Sequence, residues 1–157
     1  MKKRDNSGRR GNALIEFALA SSTLILSFSG AFQFGFSFYR YNMLHSAVSA
    51  GARYGSLKTY RCSRGATDID AIKSRIRNVV VYGTPVPDGN TSAIIPGLST
   101  ASVDVSFTLS STGVPTYVTV GIRSFTIDAV FTQFTLTGKP YASFPFMGRY
   151  APSEAEP

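Results

Sequence analysis

The stretch Gly11-Asn-Ala-Leu-Ile-Glu-Phe17 separates a basic leader, residues 1–10, from a long apolar run. After Glu16 the next charged residue is Arg40, so residues 17–39 form 23 consecutive uncharged positions. As a helix rising about 1.5 Å per residue they span roughly 34 Å, which matches a hydrocarbon core of about 30 Å. We therefore predict a transmembrane helix with one carboxylate at its entrance, an arrangement that is costly in lipid unless the carboxylate has a partner.

Length and charge limit what the rest of the chain can be. Of the 157 residues, those outside the leader and the membrane helix suffice for one soluble domain of roughly 100 residues. The net charge of +7 does not indicate nucleic-acid binding, because five basic residues and Asp5 place +4 of it in the first ten residues. Basic residues beside a membrane segment stay in the cytoplasm, so the N-terminus is predicted inside and the domain outside.

The membrane helix carries two stripes with a four-residue repeat. Small residues allow helix backbones to approach closely in a membrane, and phenylalanines run beside them. The small-residue stripe consists of Thr23, Ser27, Ala31 and Gly35; the aromatic stripe consists of Phe28, Phe32 and Phe36. Biased composition alone also produces such stripes, but the sharper interpretation is a helix that packs against other helices.

The helix is predicted to continue beyond the membrane. An amphipathic pattern with spacings of four, three, four and three residues runs through Met43, Ala47, Ala50, Tyr54 and Leu57. We expect one helix over 12–57, with a membrane span at 17–39, an outer extension at 40–57, and Gly51 and Gly55 loosening its end.

The remaining chain predicts a small α+β head at 58–150 and a disordered tail at 151–157. After a break, Thr67 or Asp68 is expected to cap a second helix, which the stretch starting at Gly83 stops. Its apolar face is formed by Ile69, Ile72, Ile76 and Val79. Alternating residues predict a strand at 103–109 and a hairpin partner around 118–122. Residues 125–134 are expected to be a loop or a short helix. A third strand around 135–143 is pushed to the sheet edge by prolines.

No feature favours an enzyme, a cofactor or a metal site. His45 is the sole histidine and lies on the outer helix, Cys62 is the sole cysteine, and Asp68 with Asp70 suits a helix start better than acid–base catalysis. A basic set on the head favours a solvated face over nucleic acid, and it comprises Arg61, Arg64, Lys73, Arg75 and Arg77.

Two sites for proteolytic processing can be read from the chain. Val48-Ser-Ala50 resembles a signal-peptidase site, but the apolar run before it is much longer than the 7–15 residues of a secretory signal. The other site is Gly11. A basic leader ending in glycine, then glutamate at the fifth position of an apolar helix, resembles the type IV prepilin signature.

Two motifs together narrow this resemblance to the TadE-like family, minor pseudopilins of the tight-adherence (Tad/Flp) pilus. They are Arg9-Arg-Gly-Asn-Ala-Leu-Ile-Glu-Phe-Ala-Leu19 and Ala50-Gly-Ala-Arg-Tyr-Gly55. The resemblance covers residues 9–56 and thins to an architectural similarity beyond them. Where family members often have an Ala-Ala-Arg-like sequence before the second motif, this chain has Ser46-Ala-Val-Ser49.

The resemblance implies that a prepilin peptidase removes residues 1–11 by cutting between Gly11 and Asn12, and that Glu16 pairs with the amine freed on Asn12 or on a neighbouring subunit. It implies a single-pass protein of the bacterial inner membrane with a periplasmic head. The expected partners are other pilins and pseudopilins, in a hetero-oligomer, and the pilus assembly platform. The expected role is priming, initiating or capping pilus assembly.

Two alternatives stay open at this point. The same segment suits an uncleaved signal anchor that presents a periplasmic binding module. A weaker alternative is a minor pilin that contacts DNA through the basic set.

Overall fold

The computed structural model describes residues 7–61, 66–129 and 132–151. Helix α1 runs over Ser7–Ser56 and α2 over Ala66–Tyr82. Among these residues the strands are β1 (Tyr60–Arg61), β2 (Val103–Leu109), β3 (Pro115–Ile122), β4 (Ser124–Asp128), β5 (Gln133–Thr137), β6 (Tyr141–Pro145) and β7 (Tyr150–Ala151). The predicted α+β class is therefore confirmed, with one long N-terminal helix, one further helix and an antiparallel sheet of three strands.

Helix α1 is continuous from the leader into the head. It begins at Ser7, five residues before the predicted start at Asn12, and ends at Ser56, one residue before the predicted end. Arginine is a good helix former, so the leader residues before Gly11 extend the apolar helix. The leader before Ser7 and the tail after Ala151 lie outside the described residues, and Ala151 itself pairs with Arg61.

The main sheet has the strand order β2-β3-β6, with antiparallel pairing throughout. Alternate residues of β2 and β3 are buried, as the sequence pattern predicts, and α1 and α2 pack against this sheet. The third strand lies at the edge as predicted, although it begins only at Tyr141, after Pro140. Residues that meet at the centre of the core include Leu44, Val48, Ile76, Val80, Val118 and Val120.

The prediction of a loop or short helix over 125–134 is wrong. Residues 124–128 and 133–137 are the strands β4 and β5, which form a separate two-stranded antiparallel hairpin. Along β4 burial alternates, with Phe125 and Ile127 inside and three polar residues outside. The period is clean within each strand, but the apolar connection between them hides it when the segment is taken as one block.

The buried face of the outer helix is rotated relative to the predicted stripe. Ala50 and Leu57 are exposed, whereas Leu44, Val48 and Ala52 are fully buried. The pattern of large residues is misleading here because small residues face α2. A methyl group on Gly51 would collide with Val80 Cγ2, and one on Gly55 would lie 2.7 Å from Ile76 Cδ1. These glycines are thus contact points between two helices rather than a loosened end.

Candidate functional site

The first part of α1, residues 11–32, projects from the head. None of its side chains is buried, and large apolar residues such as Leu14 and Phe17 are about 70% exposed (70% and 73%). These 22 residues measure about 33 Å as a helix. The length and hydropathy of Gly11–Ser56 suit a membrane crossing. We call residues 11–32 the free segment.

Several hydroxyl groups on the free segment donate to carbonyl oxygens of the helix itself. Ser22 donates to the Ala18 carbonyl at 2.8 Å, and Thr23 donates to the Leu19 carbonyl at 3.0 Å. Ser27 does the same to the carbonyl of Thr23 at 2.9 Å. With their hydroxyls bonded inward, these residues present a compact surface to a neighbour, and they leave no polar group that demands water.

The predicted packing stripe is open along its whole length. Thr23, Ser27, Ala31 and Gly35 are all exposed, and nothing lies within 4 Å of the position of a methyl group on Gly35. Glu16 precedes Thr23 by seven residues, or 700°, and therefore lies within about 20° of it around the helix. The carboxylate and the small residues consequently share one exposed face.

Glu16 has no cationic partner within ion-pair distance among the described side chains. Gly11 and Asn12 lie one helical turn before it and are exposed as well. The start of the free segment therefore presents the three predicted site residues together, and no other element of the described chain covers them.

The head reaches down along α1 to Gln33. This glutamine is only 8% exposed, and its Nε2 donates to the carbonyl of Thr132, at the end of the β4–β5 hairpin, at 3.4 Å. The amide expected to need a partner thus finds one in its own head. The hairpin's outer face is polar and includes Thr126, Asp128 and Gln133, all of them exposed. Polar groups of the hairpin therefore begin beside Gln33, whereas Phe34 and Phe38 remain exposed on α1.

The Ala50–Gly55 motif divides between two surfaces. Gly51, Ala52 and Gly55 are buried against α2 and the sheet, whereas Arg53 is exposed. Tyr54 is half-buried, and the Lys58 ammonium lies 4.2 Å from its ring centroid. The small residues of the motif therefore pack α1 against the rest of the head.

The remaining singled-out residues do not converge on a site. His45 is exposed on α1. Within the basic set, Arg77 donates from Nε to the Val103 carbonyl at 3.2 Å, while Arg75 is exposed two residues away on another face of α2. Cys62 and Arg64 lie outside the described residues, as does the side chain of Arg61. No group of three potential metal ligands occurs among the residues that the structure describes.

Sequence reasoning missed a polar cleft beside the end of the free segment. The cleft has a volume of about 510 Å³ and lies between α1, the loop after α2 and strand β4. We call it the Arg40 cleft, and its lining includes Arg40, Gly97, Ser102, Ser124, Thr126 and Asp128. Arg40 and Asp128 are 88 residues apart in the sequence, so no local motif could have predicted that both line one cleft.

One long apolar helix that leads into an α+β head fits a single-pass membrane protein. The sequence model of the TadE-like protein family matches residues 11–53, which run from the glycine before Asn12 to the arginine of the second motif. The resemblance expected from the two motifs is thereby confirmed over this segment, and it indicates a membrane protein related to the Tad pilus. No curated protein and no solved structure matches the chain.

Proposed function

We propose that the chain is a minor pseudopilin that acts in the assembly of a Tad/Flp-type pilus by priming, initiating or capping the fibre. One observation carries the proposal. The family match coincides with the part of α1 on which Glu16 and the small-residue stripe share one exposed face. The head would contact the heads of other pilins, and the stripe would contact their helices.

We further propose that the membrane span is residues 12–32 rather than 17–39. The hydrogen bond from Gln33 to the Thr132 carbonyl holds the β4–β5 hairpin beside α1 from Gln33 onward. A span that continued to Tyr39 would therefore bring the polar face of the hairpin against the hydrocarbon. The 21 residues from Asn12 to Phe32 measure about 32 Å, which suits the bilayer core.

In this position Glu16 lies inside the hydrocarbon, about 6 Å along the helix from Asn12. Cleavage after Gly11 would supply the missing partner, the α-amino group of Asn12 in the same chain or in a neighbour. At a separation of about 4 Å and an effective dielectric near 20, the attraction is about 4 kcal/mol before desolvation is subtracted. Glu16 would thus set the register between adjacent subunits.

Local helix stability also favours Gly11 as the cleavage point. The Gly11–Asn12 bond lies within α1, so a peptidase must first unwind the helix there. Each glycine makes a helix about 1 kcal/mol less stable than alanine does, and Gly8 and Gly11 both fall in the first turns. We expect the leader end of α1 to open readily.

The deciding measurement is the intact mass of the protein extracted from membranes that contain the cognate prepilin peptidase. A chain that begins at Asn12 is expected. A chain that still begins at Met1 would contradict processing, and normal maturation of Gly11→Ala would place the site elsewhere.

The Glu16→Gln variant distinguishes the proposed pseudopilin from an uncleaved signal anchor, and co-purification of other pilins is the readout. A simple anchor is indifferent to the change, whereas a subunit that pairs through Glu16 loses its partners. Ser22→Ala is the matched control, because its hydroxyl bonds only to its own helix and points away from Glu16.

The stripe is tested by Ala31→Leu against Ser22→Leu. Both add one exposed leucine to the span, but only Ala31 belongs to the stripe. Reduced co-purification for Ala31→Leu alone is expected. Equal behaviour of the two variants would assign partner contact to another face of the helix.

A further inference from the structure

The Arg40 cleft contains two opposite charges that do not pair with each other. Arg40 and Asp128 both line it, yet the ion pair found among the described residues joins Arg123 to Asp104. The Arg40 side chain is half-buried, and its guanidinium carbon lies 5.2 Å from the Phe36 ring centroid. A guanidinium stacks on aromatic rings and also suits phosphate and carboxylate, because its donors form a planar fork.

Hydroxyl groups complete the polar lining. The Ser124 side chain has no hydrogen bond within the described part of the chain, and Ser102 and Thr126 each share a hydroxyl contact with one neighbour, at 3.2 Å and 3.1 Å. The Ser124 hydroxyl can donate to a bound oxygen, and those of Ser102 and Thr126 can do so when they accept from their neighbours, because each hydroxyl has one O–H donor. The cleft therefore offers a cation, hydroxyl donors and, separately, an anion.

The position of the cleft indicates where a ligand would come from. Arg40 follows Phe36 and Phe32 on the same side of α1, and those two rings stack with centroids 6.5 Å apart. The Phe32 and Phe36 rings therefore form a continuous aromatic surface from the end of the free segment to the Arg40 guanidinium. The Arg40 guanidinium reaches back to within 5.2 Å of the Phe36 ring centroid. Phe36 lies four residues, or about 6 Å, beyond Phe32, so the guanidinium stands at the height of the headgroups above the proposed span.

We propose that the Arg40 cleft binds the phosphoethanolamine headgroup of a membrane phospholipid. The phosphate lies against Arg40 and the serine hydroxyls, the ammonium lies against Asp128, and an acyl chain runs along Phe36 and Phe32. The proposal uses the membrane position given above but does not require cleavage of the leader or pilus assembly. A bound lipid would hold the head at a set height over the bilayer.

The test uses the full chain purified in mild detergent and supplied with phosphatidylethanolamine, phosphatidylglycerol or phosphatidylcholine. Retained lipid is counted by native mass spectrometry. Phosphatidylethanolamine is expected to bind best, because phosphatidylglycerol has no ammonium and phosphatidylcholine has no N–H donor. Arg40→Gln should lower retention of all three by about tenfold, as for loss of one charge-assisted hydrogen bond. Asp128→Asn should remove only the preference for phosphatidylethanolamine.

Matched controls are Arg53→Gln and Asp88→Asn, which remove exposed charges that do not line the cleft. They should leave retention unchanged. Near-UV circular dichroism of each variant reports whether the head is folded, and Arg40→Lys keeps the charge if Arg40→Gln unfolds.

Three results would overturn the proposal. Lipid retention that is unchanged in both Arg40→Gln and Asp128→Asn would mean that lipid binds only to the free segment. Loss with Arg40→Gln but an unchanged preference with Asp128→Asn would mean a site for phosphate alone. Displacement of the lipid by equal concentrations of water-soluble phosphoethanolamine would identify a soluble ligand. Each of these readouts is independent of whether the mature chain begins at Asn12.

Discussion

Replacing Gly51 by alanine is expected to destabilise the head by forcing α1 away from α2. The new methyl group would collide with Val80 Cγ2 and would lie 3.5 Å from the Ile76 carbonyl oxygen. Val80 is fully buried and β-branched, so its side chain has little freedom to turn aside.

Two opposing terms set the magnitude. Alanine stabilises a helix by about 1 kcal/mol relative to glycine, and overpacking a core costs about 1–3 kcal/mol. A collision with a stiff side chain belongs near the upper end, which leaves a net loss of about 1–2 kcal/mol. For a head of about 100 residues each kcal/mol lowers the melting temperature by roughly 4–8 °C.

Thermal unfolding of the full chain in detergent, followed by near-UV circular dichroism of its eight tyrosines, measures this. Gly35→Ala is the matched control, since open space surrounds that position and alanine should be neutral or slightly stabilising. Gly55→Ala should cost less than Gly51→Ala, because its nearest obstacle at 2.7 Å is the flexible end of Ile76.

A double-mutant cycle decides whether the collision is the cause. In a Val80→Ala background the obstructing methyl group is absent, so Gly51→Ala should be neutral or stabilising. The expected coupling is about 1 kcal/mol or more. An equal cost of Gly51→Ala in both backgrounds would refute the packing argument.

Three further predictions concern the same head. Ile76→Ala truncates a fully buried side chain that packs beside Gly51 and Gly55. The free energy of unfolding should fall by about 2–5 kcal/mol, measured by thermal unfolding. Leu57→Ala, at a 62% exposed site, should change it by no more than about 0.5 kcal/mol. Asp104→Asn removes one partner of the ion pair with Arg123, whose two side chains are 67% (Arg123) and 59% (Asp104) exposed. The free energy of unfolding should therefore change by less than about 1 kcal/mol. A larger loss would show that the pair contributes more than exposed pairs usually do. Gln33→Ala should speed hydrogen exchange in β4 and β5 but not in β2, and equal protection in both would mean that this amide does not hold the hairpin.

Local patterns predicted the elements whose periodicity is unbroken. The apolar run after Glu16 predicted α1, the spacing of Ile72, Ile76 and Val79 predicted α2, and the alternation in β2 predicted the first strand of the sheet. In each case one face of a regular element is apolar, and that information is contained within a few neighbouring residues.

The β4–β5 hairpin and the buried face of the outer helix were not predictable in the same way. A short apolar connection masked two alternating strands. The glycines of the Ala50–Gly55 motif carry no hydrophobic signal, so their burial follows only from the approach of Val80 and Ile76. A small residue can be recognised as a packing contact only when the surface that lies opposite it is known.

The sequence by itself predicted the long apolar helix, the α+β class and the resemblance around Glu16, and the structure and the family match confirm these three. All of these rest on composition, on spacing within one helix or on short motifs. Only the tertiary structure decided how far the head descends along α1, and therefore where the free segment ends. Only it placed Arg40 and Asp128 in the lining of one cleft. Both results depend on residues about 90 to 100 positions apart, and the distance between them in space is set by packing, which no local pattern records.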